Sequence, residues 1–163
     1  MSKVILYMAV SADGFIAGTN DDVDWVGDDS WGSYLAFVKS CDTVIVGSRT
    51  FGMMEADEFV EGVKYLVATH DNNLDTGDYE KLSIQAAADM PQAEKIGVVG
   101  GGELNGSLAK MGVIDEVILD VEPVLLGQGK QLLGSQDATL ELKLLATKQI
   151  GESTVQNHYE VVK

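Results

Sequence analysis

The segment Val98-Val99-Gly100-Gly101-Gly102-Glu103-Leu104 constrains this chain more than any other. An apolar run passes into three glycines, and then into Leu104, Leu108 and Met111 at helical spacing, with Gly112 as the stop. That is a buried strand, a tight turn and a helix start, the unit from which α/β proteins are built. Three glycines let the backbone approach a ligand closely, and a helix start offers N–H groups to a phosphate. The spacing is not G-x-G-x-x-G, and the lysine and hydroxyl residues of a P-loop are absent. Alone, the segment fits a nucleotide's phosphates and a plain tight turn equally well.

The same grammar recurs along the chain. Thr43-Val44-Ile45-Val46-Gly47 reads as a short buried strand, after which Ser48 or Thr50 would cap a helical segment ending near Glu61-Gly62. The apolar run over residues 4–10 is a strand buried on both faces, Asp13-Gly14 turns the chain, and Phe15-Ile16-Ala17 continues it. Residues 18–29 read as a mobile polar loop. Ser30 is expected to cap a helix over residues 31–40, where Tyr34, Leu35 and Val38 fall at helical spacing. Residues 64–69 and Leu82-Ser83-Ile84 read as further strands, and Pro91 interrupts the stretch before the strand at 96–100. Then the pattern changes. Residues 117–121 form a strand leading to Pro123, and residues 138–148 and 153–162 alternate like antiparallel strands joined by Gly151-Glu152. One domain over residues 1–163 is expected, α/β, with a mostly parallel sheet and antiparallel strands at its C-terminal end.

Charge narrows the partners. The chain has 163 residues and a net charge of −15, which repels a nucleic-acid backbone and an anionic membrane alike. The acidic clusters, Asp21, Asp22, Asp24, Asp28 and Asp29 and then Glu55, Asp57, Glu58 and Glu61, read as solvated surface. Asp21-Asp22-Val23-Asp24 lacks the spacing and glycine of a calcium loop, and no other metal-ligand spacing is present. Cys41 is the only cysteine, so no internal disulfide forms. With no apolar run of the roughly 20 residues needed to cross a bilayer, and no signal-peptide cleavage site, a cytoplasmic protein is expected. Edge strands near the C-terminus can pair between subunits, which makes a homodimer one expected state.

Arg49 is the single arginine; every other basic residue is lysine. It follows Gly47-Ser48 at a strand end and offers a planar fork of donors suited to a phosphate, with the Thr50 hydroxyl beside it. Thr69-His70 closes another strand in the same way. The carboxyl ends of strands in an open sheet line one crevice, so Arg49, Thr69 and the triple-glycine turn would grip different phosphates of one dinucleotide. No Ser-His-Asp or Cys-His constellation is visible. Hydride transfer needs no protein nucleophile, because the cofactor carries the chemistry.

In this order the segments resemble the dihydrofolate reductase superfamily, and most of all its branch with the C-terminal reductase domain of bacterial riboflavin biosynthesis. The match is carried by Ala9-Val10-Ser11-Ala12-Asp13-Gly14-Phe15-Ile16-Ala17, by Asp42-Thr43-Val44-Ile45-Val46-Gly47-Ser48-Arg49-Thr50-Phe51 and by the triple-glycine segment. It continues through Ile114-Asp115-Glu116-Val117 and Pro123-Val124-Leu125-Leu126-Gly127. The resemblance implies a three-layer α/β/α fold and NADPH bound across strand ends. Ala9 and Ile16 would lie beside the nicotinamide, and Gly47, Ser48, Arg49 and Thr50 against the adenosine half. Thr69 and His70 would approach the 2′-phosphate. Gly100, Gly101, Gly102, Glu103 and Leu104 would hold the pyrophosphate and nicotinamide side, with a cis peptide in the glycine pair. The loop over residues 18–29 would be a lid, with Trp25 as its tryptophan. The carboxylate that binds pterin in true dihydrofolate reductases falls at Trp31, after Asp28 and Asp29, which counts against folate. Asp120 sits where a strand faces substrate, either bonding a heterocycle or ending in solvent.

The expected function is therefore NADPH-dependent hydride transfer to a small pterin- or pyrimidine-like substrate, with Asp120, Trp25 and Asp29 as candidates for catalysis. The alternatives are the riboflavin-pathway 5-amino-6-(5-phosphoribosylamino)uracil reductase and a non-catalytic nucleotide-binding or interaction protein.

Overall fold

A computed structural model describes residues 2–89 and 93–163. The expected interruption at Pro91 lies outside the described residues. The described residues form ten strands: β1 (Lys3–Ser11), β2 (Phe15–Ala17), β3 (Thr43–Gly47), β4 (Lys64–Ala68), β5 (Glu80–Leu82), β6 (Lys95–Val98), β7 (Glu116–Glu122), β8 (Lys130–Gln131), β9 (Leu142–Gln149) and β10 (Val155–Val161). Four α-helices join them: α1 (Asp28–Lys39), α2 (Ser48–Met53), α3 (Ile84–Ala88) and α4 (Gly102–Lys110).

Eight strands form one sheet in the order β5-β4-β3-β6-β1-β7-β10-β9, and β2 pairs with β8 in a separate ribbon. From β5 to β7 every pairing is parallel. Only β10 runs against the rest, so β9, antiparallel to β10, regains the common direction. The chain winds outward from β1 through β3 and β4 to β5, returns to insert β6 between β3 and β1, and then crosses to β7. The winding therefore reverses at β6, and a crevice opens where carboxyl ends on either side of a reversal splay apart.

Alternation along the central strands fills two cores. Val4 and Leu6 of β1, Ile45 of β3 and Leu66 of β4 pack with Leu104 and Leu108 of α4. On the opposite face Ile5, Tyr7, Val44, Val46 and Val67 pack with Phe37 and Val38 of α1. Parallel strands buried on both faces give the continuous apolar runs seen in the sequence. Cys41 lies in the second core, and burial pushes its thiol up. Among the described residues no helix is long and apolar enough to cross a membrane.

Three local expectations change. The first helix starts at Asp28 with Gly27 as N-cap, so Ser30 lies inside it and caps nothing. The helix after β3 begins directly on Gly47 and ends at Met53, well short of Glu61-Gly62; a 3₁₀ turn (Ala56–Glu58) follows. Ser83 ends no strand: its hydroxyl accepts from the Ala86 amide and caps α3, so Ile84 is helical.

Candidate active site

The motifs at the rim fasten to one another. Asp13 accepts from the Ser11 hydroxyl (2.6 Å) and from the Leu126 (3.1 Å) and Gly127 (2.7 Å) amides. Its carboxylate thereby ties the turn after β1 to the turn after β7. The Ser11 bond, with the Gly127 and Leu126 amides, holds the Asp13 carboxyl down at about 2. At the next pair of strand ends the Gly47 amide donates to the Gly100 carbonyl at 2.6 Å. A Cβ at Gly47 would stand 3.1 Å from the Gly101 nitrogen, and one at Gly101 would stand 3.1 Å from the Thr50 hydroxyl. Two strand-end turns thus lie in contact, and the glycines are what let them. The Gly100–Gly101 peptide is cis.

Between these turns, the end of β1 and the loop after β2 lies a cleft of about 810 Å³. Ala9, Ile16, Gly47, Ser48, Arg49, Thr50, Thr69, His70, Gly101, Gly102, Glu103 and Leu104 all line it. Gly100 sits behind the lining, bonded to Gly47. The N-termini of α2 and α4 both open into the cleft, and neither N-cap, Gly47 or Gly101, is closed by a side chain. Such a helix end leaves its backbone donors to solvent or to a ligand anion. The residues present fit a dinucleotide: a glycine cradle without side chains, an uncapped helix start and the guanidinium of Arg49.

Glu103 has a structural task as well. Its carboxylate accepts from the Ser135 amide (2.7 Å) and the Gln136 side chain (2.9 Å), which hold its pKa below the usual range. A Cβ at Gly102 would strike the Gln131 carbonyl and the Gly134 backbone, so this loop closes tightly over the start of α4.

The three residues named for catalysis do not line the cleft. Trp25 donates its indole N–H to the Asp22 carbonyl (3.2 Å) within its own loop. Asp29 stands against Gly151, at the turn before β10. Asp120 is fully buried, so neither a solvated strand end nor direct contact with a heterocycle describes it. Its carboxylate accepts from the Tyr7 hydroxyl and, at 2.8 Å, from the Gln156 amide; Gln156 also donates to Ser33. Two residues on, buried Glu122 accepts from the Ser30 and Thr154 hydroxyls. Burial, helped by the Glu122 charge, pushes the Asp120 carboxyl up against the pull of its two hydrogen bonds. Burial and the Asp120 bond likewise raise the Tyr7 hydroxyl. Two carboxylates with neutral partners thus sit between α1 and β7.

Several lining residues receive no lining role from the sequence, although Trp31 falls at the pterin-carboxylate position and Tyr34 on the helix face. Trp31 and Tyr34 of α1, packed edge to face at 5.9 Å, and Met53 and Met54 form an apolar wall. Spacing on α1 signals Tyr34, while Met53 and Met54 have no sequence signature beyond closeness to Arg49. Lys130 also lines the cleft, placed by the pairing of β8 with Ala17. Asp21 reaches into the cleft and bonds Arg49, so it is not the solvated surface acid expected.

Comparison with known proteins places this architecture. Residues 80–156 match the RibD C-terminal domain family. The chain is 30% identical over 169 residues to the Bacillus subtilis uncharacterized protein YwjB, covering 96% of this chain and 97% of that one. Among solved structures, the Thermotoga maritima diaminohydroxyphosphoribosylaminopyrimidine deaminase/5-amino-6-(5-phosphoribosylamino)uracil reductase superposes with a TM-score of 0.77 at 15% identity. That match covers 99% of this chain and 57% of the Thermotoga one. Enterococcus faecalis dihydrofolate reductase, solved with NADP(H), gives a TM-score of 0.73 at 14% identity, covering 99% and 97% of the two chains. At these identities the structural likeness is one of fold: the dihydrofolate reductase-like α/β fold.

Proposed function

The chain belongs to the RibD C-terminal domain family, whose members are reductase-like, and on that premise we propose that it is an NADPH-dependent reductase acting on a C=N or C=O group of a small pterin- or pyrimidine-like compound. The supporting observation is the convergence of three strand ends, at Gly47–Thr50, Thr69-His70 and Gly101–Leu104, on one cleft. When bound, NADPH would supply the hydride. The chain's part is to bind and orient. Arg49 pairs with a phosphate, the uncapped start of α4 receives the pyrophosphate, and the small side chain of Ala9 with Ile16 leaves a flat floor for the nicotinamide. The loop between β2 and α1 covers the transfer site and excludes water. The wall of Trp31, Tyr34, Met53 and Met54 would face a planar ring. Trp31 stands where a pterin-binding carboxylate would be, which argues against folate.

Titration of NADPH and NADH tests the reading. Binding of NADPH with a dissociation constant well below millimolar, and oxidation of bound NADPH by at least one compound in a panel of heterocycles, is the expected result. Failure to bind either nucleotide at millimolar concentration would remove the proposal, and binding with a silent panel would favour a non-catalytic nucleotide-binding protein.

A second reading, the riboflavin-pathway reduction of 5-amino-6-(5-phosphoribosylamino)uracil, is favoured by the family match itself. Turnover of that ribosylamino-pyrimidine decides between the two.

A further inference from the structure

Two cations that line the cleft, Arg49 and Lys130, already share one carboxylate of the protein itself. Arg49 donates through Nη2 to Asp21, and Lys130 Nζ stands 4.0 Å from the other carboxylate oxygen of the same residue. One carboxylate therefore bridges a helix start on one side of the cleft and the β2–β8 ribbon on the other.

The loop is shaped to deliver it. The Asp21 amide donates to the Gly18 carbonyl (3.0 Å) and the Gly18 amide to the Asp22 carbonyl (2.9 Å), closing a tight turn. A side chain at Gly18 would collide with the Asp22 carboxylate. Asp21 is the sole non-glycine residue with positive φ (63°) among the described residues, a conformation that Asp and Asn tolerate better than other side chains. The Asp21 side chain is 21% exposed while that of Arg49 is 71% exposed. The guanidinium thus spends one edge on the loop and leaves its other donors open to solvent.

We infer that Asp21 is an internal stand-in for a phosphate: it occupies the Arg49–Lys130 anion site in the free protein, and an incoming cofactor phosphate must displace it. The inference rests on the reading of the cleft as a dinucleotide site. A carboxylate and a phosphate cannot both hold the same two cations without like-charge repulsion, so cofactor entry and release of the turn at residues 18–22 are one coupled event. Asp21 then lowers cofactor affinity and ties the loop's position to the state of the site.

Asp21→Asn is the discriminating variant, because Asn suits the same backbone conformation and removes only the charge. It is expected to bind NADPH about fivefold more tightly than the unaltered protein, in line with a half-exposed ion pair. Tightening confined to NADPH assigns the site to the 2′-phosphate; tightening of NADH as well assigns it to the pyrophosphate, and both outcomes support the inference. The gain should vanish when Asp21→Asn is made in an Arg49→Ala background, a cancellation that a merely structural role for Asp21 would not produce. Equal NADPH affinity for Asp21→Asn and the unaltered protein overturns the inference, and it leaves the dinucleotide reading standing if Arg49→Ala still weakens NADPH. If neither the unaltered protein nor Asp21→Asn binds either nucleotide, both claims fall together.

Discussion

Two polar regions at the same rim of the sheet are finished in opposite ways. Where β3 and β6 end, the polar groups belong to the backbone, the helix starts carry no side-chain cap, and a cleft of about 810 Å³ lies open before them. On the flank where β7 meets β10 and α1, the polar groups are side chains, buried and bonded to each other: Asp120 with Tyr7 and Gln156, and Glu122 with Ser30 and Thr154. The first region leaves its donors for something outside the chain. The second fastens a helix to the sheet. A buried polar group is therefore no sign of a binding site here; an unfinished one is.

The sharpest way to break this contrast is to open the fastened region. Asp120→Ala leaves the buried Tyr7 hydroxyl and Gln156 amide with the Ser33 hydroxyl as their remaining partner and should cost about 1–3 kcal/mol of stability in urea unfolding. The NADPH affinity of the folded fraction should stay within about twofold. A protein of unchanged stability that had lost NADPH binding would erase the distinction. Gly102→Ala attacks the other region through its packing, since the added methyl meets the immovable Gln131 carbonyl and Gly134 backbone. A loss of about 1–3 kcal/mol is expected, again by urea titration. Arg49→Ala should do the reverse of Asp120→Ala: stability within about 0.5 kcal/mol, because the pair is exposed, and NADPH weakened about tenfold more than NADH. An equal loss for both nucleotides would move Arg49 away from the 2′-phosphate.

Asp120 in the fastened region and Asp13, which tethers the turns after β1 and β7, differ in the sign of their pH dependence. Asp120 has a carboxyl raised by burial, so its contribution is complete below the ordinary 3.8 and declines as pH rises through the raised native value. Asp120→Asn should remove that decline from the pH–stability curve. Asp13 is held down to about 2, so its tether between the Ser11 and Gly127 turns is complete above 3.8 and lost as pH falls through 2. Asp13→Asn should flatten the acid limb only. The smallest effect on stability is expected on the edge strand β9, where Leu142, Leu144 and Leu145 are exposed. Leu144→Lys should leave unfolding within about 0.5 kcal/mol. If a second copy pairs on this edge, sedimentation will show a dimer that the substitution converts to a monomer.

Much of the rim was legible because its chemistry is local. Gly47, Arg49 and Gly100 to Gly102 announce themselves through a strand period followed by residues that only a turn or a helix start needs. What was not legible depends on partners far away in sequence. Ser30 has the look of an N-cap, but the helix begins two residues earlier and its hydroxyl goes to Glu122, 92 residues on. Asp120 reads as a strand-end acid until β10 supplies Gln156 and β1 supplies Tyr7. Asp21 is one of several neighbouring acids in the sequence, and only the turn at Gly18 selects it for Arg49. Strand β9 alternates as a half-buried strand should, yet it is exposed along its length, because among the described residues no helix covers that end of the sheet.

Chemical-shift mapping of the backbone amides during NADPH titration tests the central claim most directly. Concerted shifts at residues 47–50, 69–70 and 101–104, saturating with one dissociation constant, are the expected result. Shifts confined to a single one of these segments, or appearing on the β9 side of the sheet instead, would contradict it.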